Sequence, residues 1–546
     1  MLRAAGLSEG VGGAAISPRQ RGKQKLDAGS AAGAGGRGAV AMRDGRASGP
    51  SRWVPPWSLT VPVVLLLLLR LPSLFEPHWY TDEAGYANTA WLMTHGKVLY
   101  LTVWNNKPPL LFWIYDLALA WFGPSEFGLH LFSTVAEVAA LAAIWRLLRE
   151  NWPGRWSWMG TLVGALLLGL PLLGGDLALP ENFLIAPEAW AMVWVLGAAR
   201  GSPGRRQYLQ AAAAGVLVAL ACLVQQTAAG VAVVGVVFLA ILPGRRSVVA
   251  AATMAVSGVL VIVLGMMPAL LAAGFHRVFY FLVTSYGDYT TNTLPLNLAS
   301  VAPRVAGGVL LVVGVLVARR RSSAFLLLWG WLAVELFIYM LPNRAYPFHL
   351  LPAAVPLVVL LGAMKRPKWP TWRSWAAWAF VPLVGSALVS GAIWGGMFAG
   401  TEPQGSLYTI ARSAGYYPMF VGRLVGVVGL TEYDDFYDRR VLAEQEAGRW
   451  IRAHHLQGST AVVWSADSWA YLLTPLTPVL PAPPIYKDFD WLGGKQLLER
   501  TRRLHPRVIL VTDDALTHFG PIQQLLNARY REEEVSAGGA VWILRG

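Results

Sequence analysis

The amino-acid sequence predicts an α-helical polytopic membrane protein of about eleven transmembrane helices, with a C-terminal extracytoplasmic α/β domain. Three observations predict it. Of 546 residues, 55% are hydrophobic and only 14% charged, where a soluble globular protein carries about 25% charged residues. Apolar runs of bilayer-crossing size recur as far as residue 400, and the basic residues between them alternate in abundance. Beyond about residue 430 charge density rises, and short β-branched runs alternate with amphipathic ones, the pattern of a small soluble fold.

Residues 1–56 are rich in Gly, Ala, Ser and Arg and lack aromatics until Trp53. They cannot bury enough surface to fold and are expected to form a disordered basic cytoplasmic tail. No long apolar core lies within the first 30 residues, so a secretory signal is not expected. Met42 is a candidate translation start; N-terminal sequencing that finds residues upstream of it would exclude that.

The membrane module, 57–400, places spans near 57–75, 126–145, 157–173, 184–199, 208–224, 227–242, 248–272, 305–318, 323–341, 348–364 and 374–399. Even-numbered connections carry most of the positive charge: Arg146, Arg149 and Arg155; Arg200, Arg205 and Arg206; Arg245 and Arg246; Arg319–Arg321; Lys365, Arg366, Lys368 and Arg373. The odd ones carry little: Lys97 and Lys107, then none in 174–183, Arg277 and Arg304, and Arg344. By the positive-inside bias the N-terminus is cytoplasmic, in a multi-pass protein of the plasma (inner) membrane. The first outer loop (76–125), Glu181, Arg344 and everything after residue 400 then face outward. This placement also answers the net charge of +14: the excess lies at the inner membrane surface, and no nucleic-acid partner is expected. The 25 tryptophans suit the membrane–water boundary. Cys222 is the only cysteine, so no intrachain disulfide is possible and a packing role is expected.

In the C-terminal domain, 401–546, Arg440–His455, Gly494–His505 and Ala515–Ala528 read as helices. Thr460–Trp464, Arg507–Thr512 and Ala540–Leu544 read as strands, which predicts a largely parallel sheet. It has no Gly-rich phosphate loop, and the chain has no internal repeat.

The chemistry concentrates in the first outer loop, in Trp79-Tyr80-Thr81-Asp82-Glu83-Ala84-Gly85-Tyr86 and Trp104-Asn105-Asn106-Lys107-Pro108-Pro109-Leu110-Leu111. Asp82 and Glu83, in a loop before a helix expected near Ala84, supply a base and a hydrogen-bond acceptor; the plainer reading is a helix cap. Lys107, with two prolines fixing φ behind it, offers a point charge suited to phosphate; the plainer reading is snorkelling at the membrane surface. Glu181, with Asp176 and Glu188 beside it, is a second acidic candidate facing the same cavity as Asp82. Arg344 runs against the charge bias and can bind phosphate bidentately; Tyr346 and His349 follow it. Gln225, Gln226 and Thr227 are placed to line the cavity. Asp116, Glu137 and Glu335 lie within apolar segments, where ionisable groups are functional candidates, and for Glu137 and Glu335 an interhelix hydrogen bond is the plainer use.

These residues resemble the bacterial branch of the protein O-mannosyltransferase family, which includes the lipid A aminoarabinose transferases. The resemblance rests on YTDEAGYANTAWLMTHGKVLY, WNNKPPLLFWIYDLALAWFGPSEFGLHLFS, LALPENFLIAP, LVQQTAAG and RAYPFHLLPAAVPLVVLLG, in order over roughly residues 57–364. It implies the GT-C fold and a glycosyltransferase using a polyprenyl-phosphate sugar donor. Asp82 would be the base and Glu83 its companion, Lys107 and Arg344 would meet the donor phosphate, and Glu181, Tyr346 and His349 would line the acceptor cavity. The family's Tyr-Pro-His-Tyr reads Tyr-Pro-Phe-His here, which shifts the histidine by one. Asn106 stands where many relatives carry His or Glu, so no metal ligand is expected at that position; no cofactor is expected, a divalent metal being possible but not indicated. Expected partners are the lipid bilayer, the donor, and a protein, glycolipid or wall-polysaccharide acceptor. A flippase or transporter of lipid-linked sugars, and a non-catalytic member binding wall polymers, are the alternatives.

Overall fold

The computed structural model describes residues 57–153, 155–201, 204–285, 308, 312, 322–340, 346–363, 406–465, 467–483, 485–512, 520–535 and 539–545. The N-terminal tail with Met42, the spans expected at 305–318 and 374–399, and Arg344 lie outside the described residues.

Each remaining expected span coincides with a helix. These are α1 (Trp57–Arg70, continued by a 3₁₀ turn Leu71–Phe75), α4 (Glu126–Asn151), α5 (Arg155–Gly169), α6 (Pro180–Arg200), α7 (Arg205–Val224), α8 (Ala229–Ile241), α9 (Arg245–Ala273), α11 (Ser323–Met340) and α12 (Leu351–Ala363). In hydrocarbon a helix satisfies its own backbone groups, and these segments are Leu-, Val- and Ala-rich. Five of them, including α1 with its 3₁₀ turn, are long and apolar enough to cross a membrane. Outer faces such as Val256 (68% exposed) and Leu271 (81%) on α9 are lipid-facing in character. Where α7 crosses α9, a Cβ on Gly215 would stand 2.1 Å from the Met254 carbonyl oxygen, and one on Gly258 would meet the Gly215 oxygen at 3.2 Å. Only glycine permits this approach. Cys222, on α7, is buried, as a packing residue would be.

The first outer loop is largely helical. It forms α2 (Thr81–Thr94) and α3 (Pro109–Phe122). Pro108 is the residue before α3 and Pro109 its first residue, a position where the missing N–H costs nothing. α3 turns Phe112 and Tyr115 inward and Trp113 and Trp121 outward, as expected of a helix lying at a membrane boundary. A short α10 (Phe275–Phe279) follows α9.

The C-terminal region begins with α13 (Ser406–Leu424), α14 (Leu430–Tyr437) and α15 (Arg439–Ala453). It continues as β1 (Thr460–Trp464), α16 (Ala470–Leu473), β2 (Thr477–Pro478), α17 (Ile485–Leu504), β3 (Val508–Val511), α18 (Gly520–Arg529), β4 (Tyr530–Val535) and β5 (Gly539–Leu544). The sheet order is β2-β1-β3-β5-β4. β2, β1 and β3 run parallel, whereas β5 is antiparallel to both β3 and β4. The sheet is therefore mixed rather than largely parallel. The difference comes from β4, YREEEV, whose charged residues hide a strand at the sheet edge, where charge is the usual protection. Period-2 alternation sends Ala461, Val463 and Leu510 into one apolar cluster, with Ala447 and Ile451 of α15. Val462, Trp464 and Ile509 enter another, with Leu497 of α17 and Leu525 of α18.

This domain rests on the first outer loop. Asn88 Nδ2 of α2 donates to the Ser468 carbonyl at 2.8 Å, and the Trp104 N–H donates to the Pro481 carbonyl at 2.8 Å.

Candidate active site

Asp82 and Glu83 occupy the first turn of α2 rather than a loop, because the helix starts at Thr81. Unpaired N–H groups at that end favour carboxylates, so the same preference that reads as a cap here draws both acids into the helix. Consecutive helical residues diverge by about 100°, and the two acids separate accordingly. Asp82 is half-buried; Glu83 is fully buried. Glu83 accepts the Ala178 N–H at 2.5 Å and lies 3.3 Å from His130 Nε2. It thus ties α2 to α4 and to the second outer loop. Asp82 keeps the more accessible carboxylate.

Lys107 is buried at 8% exposure, which rules out snorkelling at the membrane surface. Its backbone is held from two sides: Tyr100 OH donates to its carbonyl at 2.7 Å, and Gln226 Nε2 donates to the neighbouring Asn106 carbonyl at 3.1 Å. Its ammonium acts electrostatically on the Glu181 carboxylate.

Glu181, in the first turn of α6, is buried and accepts hydrogen bonds from His349 Nδ1 at 2.9 Å and Gln225 Nε2 at 3.1 Å. The shifted histidine therefore engages the second acidic candidate directly. A small cavity lies here, lined by Glu181, Glu188, Gln225, Thr227, Glu335 and His349 among others. Asp82 is not among the residues lining it. Tyr80 lies within electrostatic reach of both carboxylates. This buried phenol feels Asp82 most strongly, then Tyr346, Glu83 and Glu181. Burial first, and these neighbours second, hold its hydroxyl well above the ordinary tyrosine value, so it stays neutral and able to donate. Tyr346 stacks on Phe348 with ring centres 5.3 Å apart.

The remaining acidic candidates are structural in their contacts. Glu137 pairs with Arg70 at 3.1 Å and accepts from Asn182 Nδ2 at 2.8 Å, binding α1, α4 and α6 together. Glu335 accepts from Trp331 Nε1 at 3.0 Å and bonds to Glu188. Asp116 is half-buried on α3.

Several residues escaped sequence reasoning. Arg70 is fully buried, with its guanidinium on Ser133, Thr134 and Glu137; as the last residue of an apolar run it reads as a flanking charge. Glu126 and His130 stand four apart on α4, so their shared face was available as a signal, but their approach to Glu83 is tertiary. Arg412 of α13 reaches Asp176 at 2.7 Å and Glu76 at 3.7 Å and stacks over Trp79 at 3.9 Å. Tyr416 and Trp79 complete this knot by donating to Glu76 at 2.5 and 2.7 Å. It fastens the C-terminal region to the segment that leads into α2.

Residues 106–272 match the family model described as dolichyl-phosphate-mannose-protein mannosyltransferase. That stretch begins beside Lys107 and includes Glu181 and Gln225, but not Asp82 or His349. No curated protein sequence matches. Among solved structures, the fold is similar to that of ArnT from Cupriavidus metallidurans bound to undecaprenyl phosphate, with a TM-score of 0.59 and 15% identity over 90% of this chain and 98% of that one. ArnT in the apo state gives a TM-score of 0.55 and 14% identity, over 89% and 97%. At such identities the likeness is one of fold. The chain thus has the fold of ArnT, and its residues 106–272 are similar to the protein-mannosyltransferase family model.

Proposed function

We propose that this protein transfers a sugar from a polyprenyl-phosphate donor to a hydroxyl group of a protein, glycolipid or wall polysaccharide, at the extracytoplasmic face and with inversion. The observation that carries this reading is a half-buried carboxylate at a helix N-terminus, Asp82, together with the buried Lys107 and the buried Glu181 held by His349. The GT-C fold supports it, as does a solved structure of that fold bound to undecaprenyl phosphate.

In the proposed step Asp82 accepts the proton of the acceptor hydroxyl while that oxygen bonds to the anomeric carbon. The bond from that carbon to the phosphate oxygen breaks, and its electron pair leaves with the polyprenyl phosphate. A phosphate monoester has a second pKa of about 6, so the leaving group needs no general acid. Lys107, joined by Arg344, meets the charge that collects on it. Tyr80, neutral at all working pH, orients a hydroxyl-bearing ligand between the two acids. A single displacement of this kind inverts the anomeric centre.

Membranes containing the protein, supplied with a panel of radiolabelled polyprenyl-phosphate sugars, should release label to an acceptor. Asp82→Asn should slow transfer by about 10²–10⁴-fold. Wild-type turnover in Asp82→Asn removes Asp82 from the mechanism.

A further inference from the structure

One residue from Asp82 lies a group of side chains that the transfer step does not use. Glu83, Glu126 and His130 are 0%, 2% and 0% exposed, and one ligand atom from each falls within 4.8 Å of the others. We propose that these three residues bind a divalent transition-metal ion, with zinc the best chemical fit.

The imidazole orientation is the first argument. His130 Nδ1 lies 2.6 Å from the Ser73 carbonyl oxygen, which can only accept, so Nδ1 carries the proton. Nε2 then faces both Glu83 oxygens at 3.3 Å and Glu126 Oε2 at 3.5 Å. Facing two carboxylates, Nε2 holds either a proton, as imidazolium, or a metal ion, and the distances separate the two. Metal-bound histidines hold this posture, one nitrogen on the metal and the other donating to a backbone carbonyl.

The distances are the second. A charge-assisted N–H···O bond closes to about 2.7–2.9 Å, and these contacts are all longer. Tetrahedral zinc, with bonds of about 2.0–2.2 Å, sets its ligand atoms about 3.3–3.5 Å apart. The separations of Nε2 from the two carboxylates are those of a tetrahedron's edges.

The third is Glu126 itself. No N–H or O–H among the described residues makes a hydrogen bond to either of its oxygens, and the groups beside it are the Glu83 carboxylate and His130 Nε2. An unpaired buried charge is costly, and Arg70, the nearby cation, is already paired with Glu137. A dication neutralises the two carboxylates together. The fourth position falls to a water or to the second oxygen of a carboxylate. With every ligand buried, the ion is structural: it pins the first turn of α2, and Asp82 with it, to α4. Asn106, where no metal was expected, stands at a different position and does not bear on this trio.

The test uses the untagged full-length protein in detergent, grown with zinc and passed through gel filtration. About one zinc per chain should remain, a chelator should lower the unfolding temperature, and added zinc but not magnesium should restore it. Glu126→Gln should weaken zinc binding by at least about 10–100-fold. Cobalt in place of zinc should show the intense visible absorption of a tetrahedral site. If Glu126→Gln does not fold, the chelator and cobalt measurements on the wild type decide. A wild type that retains no zinc and ignores both chelator and zinc overturns the proposal in favour of a shared proton. Equal zinc in Glu126→Gln overturns it by placing the ion elsewhere. Neither readout depends on sugar transfer.

Discussion

Replacing Arg412 by glutamine should loosen the attachment of α13 to the catalytic loop without unfolding the membrane helices. Arg412 is the cation serving two buried carboxylates, Asp176 at 2.7 Å and Glu76 at 3.7 Å. Removing one partner of a buried ion pair costs about 3–5 kcal/mol, because a charge is left uncompensated. At about 1.4 kcal/mol per tenfold, amides of Ser406–Leu424 that exchange by local opening should exchange about 10²- to 10³-fold faster. The effect should depend on pH, and Glu76 sets the sign. Burial, then Asp176, raise Glu76 to about 7, although Arg412 pulls it down. A carboxyl raised in the folded state lends stability that is fully present below its unfolded value of about 4.5 and lost as pH rises through about 7. Without Arg412 the Glu76 carboxyl is held higher still, so the variant goes on losing stability at pH values where the wild type has finished titrating. The defect measured by hydrogen exchange and mass spectrometry should therefore be larger at pH 8, and Glu76→Gln added to Arg412→Gln should recover part of it. Exchange in α13 within about threefold of wild type at pH 8, less than 1 kcal/mol, would refute the reasoning.

The Glu181–His349 bond should matter through its donor: His349→Phe should lower kcat/KM by about 10–100-fold, the worth of a hydrogen bond to a charged group, while His349→Gln, which keeps a donor, recovers much of it in the same transfer assay. In the C-terminal domain, burial raises Asp467 to about 7 and holds Glu444 well above the carboxylate range. Stability from these groups is present below about pH 4 and lost as pH rises through 7, so Asp467→Asn should flatten the decline between pH 4 and 8 in thermal unfolding of the full-length protein.

Much of this was legible in the sequence because apolar length and basic asymmetry act locally. Every expected span within the described residues is a helix, and β1, β3 and β5 fall on the runs TAVVW, RVILVT and AVWIL. β4 was not legible, since an edge strand of alternating charge has no apolar signature. At the site, Asp82, Lys107, Glu181 and His349 could be singled out from residue type and setting. Their division of labour could not. That Glu83 turns inward while Asp82 stays accessible follows from helix phase, which a one-residue error in the start of α2 conceals. Arg70, His130 and Arg412 act through distant partners, His130 on Glu83 47 positions away and Arg412 on Asp176 236 positions away, distances over which no periodicity carries information.

The central claim is transfer from a lipid phosphate by a single displacement, and the most direct measurement follows both products of one reaction. Purified protein, a radiolabelled polyprenyl-phosphate sugar and membrane acceptor should yield one free polyprenyl phosphate for each sugar transferred, with the anomeric configuration of the product inverted by NMR and both products lost together in Asp82→Asn. Retained configuration, or label that changes leaflet while still attached to its lipid, would contradict the account.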